Sequence, residues 1–324
     1  MMSIVLSASL LMVLMAAWGF GGRLPWRRGQ EGTVPADRLA VHVQTLAERL
    51  APRDAYHAEN LDRVAAYIRE ELERAKGTVS EQPFEVGGTT YRNVIAHFGP
   101  ETEERIVVGA HYDAAGPLPG ADDNASGVAG LIELGRLLGA SPPKLRVELV
   151  AFALEEPPHF GSSSMGSAVH AGSLKRRGVP VRAMICLEMI GYFSDEPESQ
   201  RFPLPGLRWI YPSRGNFIAV VGRPGEGGLA GRVKKAMQRA TPLPVHSATL
   251  PSSVPGVGLS DHRNYWDAGY NAVMITDTAF FRNDNYHTEE DTPETLDYRR
   301  MAQVVQGVHA AVLGEAARRG ARRK

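Results

Sequence analysis

Residues 106–127 read IVVGAHYDAAGPLPGADDNASG, and the fold class can be inferred from their pattern. It begins with residues that are apolar or glycine and reach His111-Tyr112-Asp113, which is typical of a buried strand that stops at polar side chains. It ends with GADDNASG, which leads into a segment at residues 126–138 that we expect to be helical. A strand, a polar loop and a helix therefore follow one another here.

Strands and helices are predicted to alternate on both sides of this stretch. Upstream, we expect helices at residues 36–50 and 56–76, the second ended by Gly77, and then a hairpin that turns at Gly87-Gly88. Downstream, apolar runs predict strands at residues 145–152, 181–189, 217–221, 245–250 and 271–276. Helices are expected between and after them, at residues 165–177, 229–240 and 298–316. This alternation predicts an α/β fold with a mainly parallel central sheet.

The composition limits the classes of protein that the chain can be. With 324 residues and 43% apolar content, it can bury a full core. Lysine plus arginine equals aspartate plus glutamate at 36 each, so no overall charge attracts nucleic acid, and we expect no such partner. Cys186 is the only cysteine, which excludes an internal disulfide and a thiolate zinc cluster. It lies in the apolar run AMICLEMI, which favours a buried strand residue over a reactive thiol.

The loop after the first buried strand carries residues that could bind a metal ion. Side chains alternate along an extended chain, so His111 and Asp113 point to the same side, and Asp113 can accept the other N–H of the imidazole. Asp123 follows, directly before the predicted helix. Each pattern alone also has an ordinary explanation, a structural histidine in the first case and a helix N-cap with solvated aspartates in the second.

Two later strands are also predicted to end in carboxylates. Glu155 and Glu156 close the strand at residues 145–152, and they point apart, so one could bind a metal ion while the other acts as a general base. Adjacent carboxylates are more often simply solvated. Glu188 lies inside an apolar run, where an unpaired carboxylate would be costly, so it needs a cation. His287, a lone histidine in a loop, would by itself be interpreted as structural.

Together these segments indicate a metal-dependent hydrolase. An open α/β sheet places its site at the carboxyl ends of its strands, so the polar ends can meet in one crevice. Histidines with carboxylates suit zinc, and a carboxylate shared between ions suits a pair. Ser260-Asp261-His262 contains the residue types of a serine hydrolase triad, but sequence neighbours cannot form that relay, and no GxSxG motif is present. We expect an ordered surface loop near the site at residues 194–214.

Taken in order, the segments resemble the zinc exopeptidase family that contains the bacterial leucyl aminopeptidases, glutamate carboxypeptidase and glutaminyl cyclase. The resemblance extends from Arg92-Asn93-Val94 to His287. It implies a mixed sheet of about eight strands between helices, and two zinc ions that share one ligand. The implied ligands are His111, Asp123 and Glu188 for one ion, and Asp123, Glu156 and His287 for the other, with Asp123 bridging.

The resemblance also implies roles for residues that do not bind the ions. Glu155 would be the general base, and the phenol of Tyr286 would stabilise the tetrahedral intermediate. The bond between Asp123 and Asn124 is often cis in relatives. One departure is that the aminopeptidases usually have aspartate where this chain has Glu188, whose extra methylene moves the carboxylate outward.

The predicted function is that of a metallo-exopeptidase, an aminopeptidase that hydrolyses N-terminal residues from peptides with a metal-bridged water and a glutamate base. Carboxypeptidase action stays open. A glutaminyl cyclase is one alternative, although those enzymes tend to lose the Asn-Ala-Ser-Gly that this chain keeps at residues 124–127. A non-catalytic, receptor-like ectodomain is another, although every ligand position here holds a competent residue.

The N-terminus is expected to tether the enzyme to a membrane. Residues 1–22 carry no charge and have about the length that spans a bilayer. Arg23, Arg27 and Arg28 follow them, where positive charge favours the cytoplasm, yet we expect an exported, extracytoplasmic domain. The expected organisation is an anchor or uncleaved signal at residues 1–22, a linker at 23–35, the catalytic domain at 36–317 and a basic tail at 318–324.

Overall fold

In the computed structural model, which describes residues 34–318, the strands form one eight-stranded sheet. They are β1 Thr78–Val86, β2 Thr89–Phe98, β3 Arg105–His111, β4 Arg146–Phe152, β5 Val181–Glu188, β6 Ile218–Gly222, β7 Val245–Thr249 and β8 Ala272–Thr276. Their order across the sheet is β1-β2-β4-β3-β5-β8-β6-β7. The block β4-β3-β5-β8 is parallel, whereas β1, β2 and the junction of β8 with β6 are antiparallel. The predicted mixed, mainly parallel α/β sheet is confirmed.

Helices cover both faces of the sheet. They are α1 Ala36–Gln44, α2 Ala58–Arg74, α3 Gly127–Ala140, α4 Gly166–Arg176, α5 Gly227–Ala240, α6 His262–Ala268 and α7 Tyr298–Ala317. Successive strand side chains point to opposite faces. In β3, Ile106 and Val108 therefore pack into the larger core with α3 and α7, while Val107 packs into the smaller core with α4 and α6.

Two local features differ from the sequence prediction. The left-handed residue at the end of α2 is Lys76, with φ 66°, and not Gly77. Gly77 is needed for space instead, because a Cβ there would lie 2.8 Å from Phe98 Cζ. Helix α6 was not predicted, since its seven residues are too few to show a sustained apolar period.

The membrane segment predicted at residues 1–22, most of the predicted linker and the tail beyond Arg318 lie outside the described residues. Within residues 34–318, none of the helices has both the length and the apolar character needed to cross a bilayer.

Candidate metal centre and active site

The carboxyl ends of three neighbouring parallel strands bring the predicted ligands together. His111 is the last residue of β3, and Glu188 is the last residue of β5, which pairs with β3. Glu155 and Glu156 follow the end of β4, on the other side of β3. Because these strands run in the same direction, their polar ends open on one edge of the sheet.

Two groups of side chains share the carboxylate of Asp123. In the first group, His111 Nε2 lies 3.3 Å from Asp123 Oδ1 and 3.4 Å from Glu188 Oε2. In the second group, His287 Nε2 lies 3.1 Å from Asp123 Oδ2 and 3.2 Å from Glu156 Oε1. Each oxygen of Asp123 therefore faces a different histidine, and each of these histidines also lies beside a different glutamate.

The donor atoms fit a metal cation. His111 Nε2 and Asp123 Oδ1 are buried, and neither has a hydrogen-bond partner among residues 34–318. Buried polar atoms are rarely left unsatisfied, so this pair fits the binding of a cation. Ligand atoms of His111, Asp123 and Glu156 all lie within 4.8 Å of one another. A histidine with carboxylates at this spacing is a donor set that zinc accepts.

The charges of the cluster also favour a cation. Burial raises the pKa of Glu155 well above its ordinary value, with further contributions from Glu156 and Glu188, while His111 opposes the increase. Burial likewise raises the pKa of Glu156 to about 7, and the charge of Asp123 adds to the effect. Buried carboxylates that crowd one another in this way are stabilised in their charged form by a nearby positive ion.

Asp113 contacts both His111 and the two adjacent glutamates. The Nδ1 of His111 lies 3.5 Å from Asp113 Oδ1 and 3.2 Å from the backbone oxygen of Asp113. The Asp113 carboxylate also accepts the backbone N–H groups of Glu155 and Glu156, at 3.1 and 3.0 Å. The two carboxylate oxygens each accept one of these N–H groups, so Asp113 positions the pair of glutamates.

Three further residues support the cluster, although they were not predicted to belong to it. Ser260 Oγ donates a hydrogen bond of 2.6 Å to Glu188 Oε2. This carboxylate lies one methylene further from the backbone than that of an aspartate at the same position. The Asp291 carboxylate accepts the backbone N–H of Asp123 at 3.0 Å. Arg53 is fully buried and donates to the backbone oxygens on both sides of the loop that leads to Asp123. No local pattern around Asp291 or Arg53 distinguishes them from ordinary surface charges.

Tyr286 borders the cluster and an adjoining pocket. Its ring stacks on the imidazole of His287, with centroids 3.8 Å apart and an interplanar angle of 16°. Glu188 and Tyr286 line the end of this pocket that adjoins the cluster, and the pocket has a volume of about 880 Å³, including space open to solvent. Its walls are mainly apolar, and the predicted loop at residues 194–214 contributes Phe202, Leu207 and Tyr211. The peptide bond between Asp123 and Asn124 is cis, as the resemblance implied.

Comparisons with known proteins show what the chain is similar to. The family model for "Peptidase family M28" matches residues 93–312. The "Uncharacterized protein YfbL" of Escherichia coli (strain K12) is 46% identical over 295 residues, which cover 88% of this chain and 90% of that protein. "Leucine aminopeptidase 1" of Grosmannia clavigera is 26% identical over 225 residues, which cover 65% of this chain and only 50% of that protein.

The fold is similar to that of a solved enzyme. The structure of BSAP, a zinc aminopeptidase from Bacillus subtilis, superposes with a TM-score of 0.70 at 17% sequence identity. The match covers 88% of this chain and 96% of that one. At this level of identity, the likeness concerns the fold.

Proposed function

The chain belongs to peptidase family M28, and we propose that it is a di-zinc aminopeptidase that removes N-terminal residues from peptides. The family membership confirms the predicted class of enzyme, a zinc-dependent metallopeptidase. The observation that carries the finer proposal is the division of the Asp123 carboxylate, whose two oxygens lie 3.3 and 3.1 Å from two different histidines. A carboxylate with one oxygen in each of two ligand groups suits a pair of ions.

The chain's own residues would hold the two ions. The first set would be His111, Glu188 and Asp123 Oδ1, and the second His287, Glu156 and Asp123 Oδ2. When bound, zinc supplies a Lewis acid that polarises a carbonyl and lowers the pKa of water.

Glu155 is proposed as the general base. Its Oε2 lies 4.0 Å from His111 Nε2, whereas Glu188 Oε2 lies 3.4 Å from the same atom. Glu155 therefore lies next to the first ligand set but further from His111 than Glu188 does. Its side chain is buried, and the bond from its backbone N–H to Asp113 fixes its position. A glutamate held in this way can take a proton from the attacking water and return it to the leaving amine.

The remaining groups orient the substrate. The free α-amine of a peptide would bind near the carboxylates of Glu155 and Glu188, which favours aminopeptidase over endopeptidase action. The hydroxyl of Tyr286 would donate to the oxyanion that develops on the scissile carbonyl. The side chain of the first residue would enter the apolar pocket that begins at Glu188 and Tyr286. We therefore expect apolar N-terminal residues to be preferred over charged ones.

We further propose that residues 1–22 tether the enzyme to a membrane, with the catalytic domain outside the cytoplasm. The support is the absence of charge over a stretch that is about long enough to span a bilayer.

The test compares two adjacent glutamates in the zinc-loaded protein. Glu155→Gln keeps size and hydrogen bonding but removes the base, so it should keep two zinc ions per chain and lose turnover by roughly 10²–10⁴-fold. Glu156→Gln removes a charged ligand and should lose zinc as well as rate. Zinc analysis and hydrolysis of aminoacyl p-nitroanilides are measured on the same samples.

Blocked and alternative substrates complete the experiment. N-acetylated dipeptides should resist hydrolysis, and glutaminyl peptides should not be cyclised. Near-normal turnover of Glu155→Gln with both ions bound would refute Glu155 as the base. Hydrolysis of the blocked dipeptides in place of the aminoacyl substrates would instead indicate a carboxypeptidase.

A further inference from the structure

One end of the sheet carries an excess of positive charge. Residues 199–260, which contain β6, α5 and β7, have eight lysine or arginine residues and one acidic residue, Glu226. The whole chain has 36 residues of each kind, so 28 basic and 35 acidic residues remain elsewhere. A neutral chain is therefore divided into a basic end and an acidic remainder, and this asymmetry is typical of proteins that bind an anionic partner.

The basic end is also the outer edge of the sheet. β7 is the last strand, and no segment within residues 34–318 pairs with its outer side. Val245 of β7 packs into the larger core with α5, whereas the next residue, His246, lines the pocket together with the loop at residues 201–211. A flat surface that approaches this edge therefore meets α5 on one side and the loop on the other.

Residues 204–210 form the tip of this loop, and the loop tip exposes large apolar side chains. Trp209 is 81% exposed, Ile210 62% and Leu204 40%. Half of the large apolar side chains that are exposed among residues 34–318 lie in this tip, the others being Val41, Tyr56 and Leu259. Exposed apolar groups that cluster in one short segment mark an interaction surface.

The inner side of the loop holds the tip in place. The hydroxyl of Tyr211 donates to the backbone oxygen of Ser247 in β7 at 2.8 Å, and the backbone N–H of Tyr211 donates to the backbone oxygen of Leu207 at 2.9 Å. Leu207 and Tyr211 line the pocket, whereas Trp209 and Ile210, between them in the sequence, do not. The apolar side chains of the tip are held in an exposed position because the pocket-lining residues fix the turn.

Positive charges without partners lie on both sides of this edge. In the loop tip, Arg208 is exposed and, unlike Arg201, which pairs with Asp284, forms no ion pair with any of residues 34–318. In α5, Lys234 also forms none within these residues. Burial lowers the pKa of His246 in β7, and the charge of Lys234 adds to the effect, so Lys234 lies beside β7. These two charges are free to bind an external anion.

An anionic lipid surface fits this combination of groups better than a nucleic acid or an acidic protein. Tryptophan is favoured at the headgroup level of a bilayer, where its ring is partly in an apolar phase and its N–H is solvated. Basic side chains next to it bind anionic headgroups. A nucleic acid offers phosphates but no apolar phase for Ile210 and Leu204. An acidic protein needs a cavity shaped for Trp209, whereas fluid lipid does not.

We propose that the loop tip, with the basic residues beside it, binds the surface of a membrane that contains anionic phospholipid. Trp209 lies at the level of the headgroups, Ile210 contacts the acyl chains, and Arg208 and Lys234 bind headgroup phosphates. The inference goes beyond the proposed peptidase activity and concerns residues other than the proposed tether at residues 1–22. The same loop lines the pocket, so the contact also brings a wall of the pocket next to the lipid.

The test places an environment-sensitive fluorophore on the loop tip of the zinc-loaded full chain. Ile210→Cys keeps Trp209 and is labelled with an NBD group, while Cys186 is buried and stays unlabelled. The labelled protein is added to vesicles of phosphatidylcholine with and without phosphatidylglycerol, each with and without a doxyl-labelled lipid. We expect a blue shift and quenching of the NBD emission with the phosphatidylglycerol vesicles. Both effects should weaken at high salt, because the Debye length falls from about 10 Å at 0.1 M to about 3 Å at 1 M.

Tyr56→Cys carries the same label at a matched control site. Tyr56 is 79% exposed and follows Ala55, whose backbone oxygen accepts the hydroxyl of Tyr91 in β2, near the opposite edge of the sheet. This label should show neither the shift nor the quenching, even where residues 1–22 hold the protein on the vesicle.

Charge variants of the labelled protein test the electrostatic part of the contact. Arg208→Gln removes one basic residue from the lipid surface and should lower the ratio of docked to undocked probe roughly fivefold. Arg63→Gln is the matched control on α2, which packs against β1 and β2, and should leave the ratio unchanged. A ratio that Arg208→Gln does not lower would overturn the proposal.

The remaining outcomes separate lipid from other occupants of the loop tip. Absence of a response of the Ile210 label to phosphatidylglycerol vesicles, or an equal response of the Tyr56 label, would overturn the proposal. A shift that appears without vesicles and grows with protein concentration would overturn it in favour of contact between two copies of the chain. A shift with poly-L-glutamate but not with vesicles would overturn it in favour of an acidic protein.

Discussion

Replacing Arg53 with methionine should destabilise the protein and loosen the loop that carries the metal ligands. The Arg53 guanidinium is fully buried and donates to four backbone oxygens, those of Tyr112, Leu46, Pro119 and Gly120, at 2.6–3.1 Å. Tyr112 lies beside His111, and Gly120 lies at the start of the turn that holds Asp123. One side chain therefore joins the segments before and after this loop.

The magnitude follows from the four hydrogen bonds. A hydrogen bond from a charged donor contributes about 1.5 kcal/mol net of desolvation at the low end of the measured range, so four contribute about 6 kcal/mol. Burial lowers the pKa of Arg53 to about 10, although the nearby charges of Asp291 and Asp113 raise it. Because methionine leaves the four backbone oxygens without this donor, we expect Arg53→Met to lower the free energy of unfolding by about 6 kcal/mol.

The assay is urea unfolding followed by tryptophan fluorescence and far-UV circular dichroism, with the zinc affinity of the folded protein measured in parallel. Arg53→Lys is the matched control, since it keeps the charge but cannot form the planar fork of donors, and it should recover only part of the loss. Zinc should bind more weakly to both variants because the loop at residues 112–120 is held less firmly. A loss of stability below about 1 kcal/mol, the scale of one ordinary hydrogen bond, would refute the role of Arg53.

Three other predictions concern the metal centre and the N-terminus. Asp123→Asn removes the charge of the shared carboxylate and should lose both metal occupancy and turnover, whereas two retained ions would show that another residue bridges. Ser260→Ala removes the 2.6 Å bond to Glu188 and should weaken zinc binding roughly 10–100-fold in chelator competition; unchanged affinity would contradict this. Deletion of residues 1–22 should release a soluble domain with full peptidase activity, because the proposed ligands all lie at or after His111, and failure of this form to fold would contradict the assignment of a tether.

The sequence was sufficient for most of the elements of the fold. The continuous apolar run of β3 covers neighbouring positions, residues 106–110, so it could be recognised without knowledge of the partners on either face. The same holds for His111 and Glu155, which follow apolar runs closely, and for Glu188, which lies inside one, because the end of a parallel strand in an open sheet is where such residues meet. Short helix α6 was missed because its length is below that of a periodic signal.

The contacts that position the residues of the site could not be predicted from the sequence. Asp291 binds the backbone of Asp123 from 168 residues away, and nothing in the residues around Asp291 records that distance. The carboxylate of Asp113 illustrates the same limit, since its local position predicted its place beside the imidazole, but not the hydrogen bonds that it accepts from the backbone N–H groups of Glu155 and Glu156.

The kinds of element, their order and the residue types available for chemistry follow from local properties of the sequence, namely periodicity and the ends of apolar runs. Which residues meet depends on how distant segments pack. β6 pairs with β8 in the antiparallel direction and places Ala219 next to Thr276, and β7 pairs with β6 and places His246 next to Ala219. These two pairings extend the pocket away from Glu188, which pairs with Thr276. Strand order and register depend on packing between segments that are distant along the chain, and this is why the pocket, unlike the ligands that border it, could only be found in the folded protein.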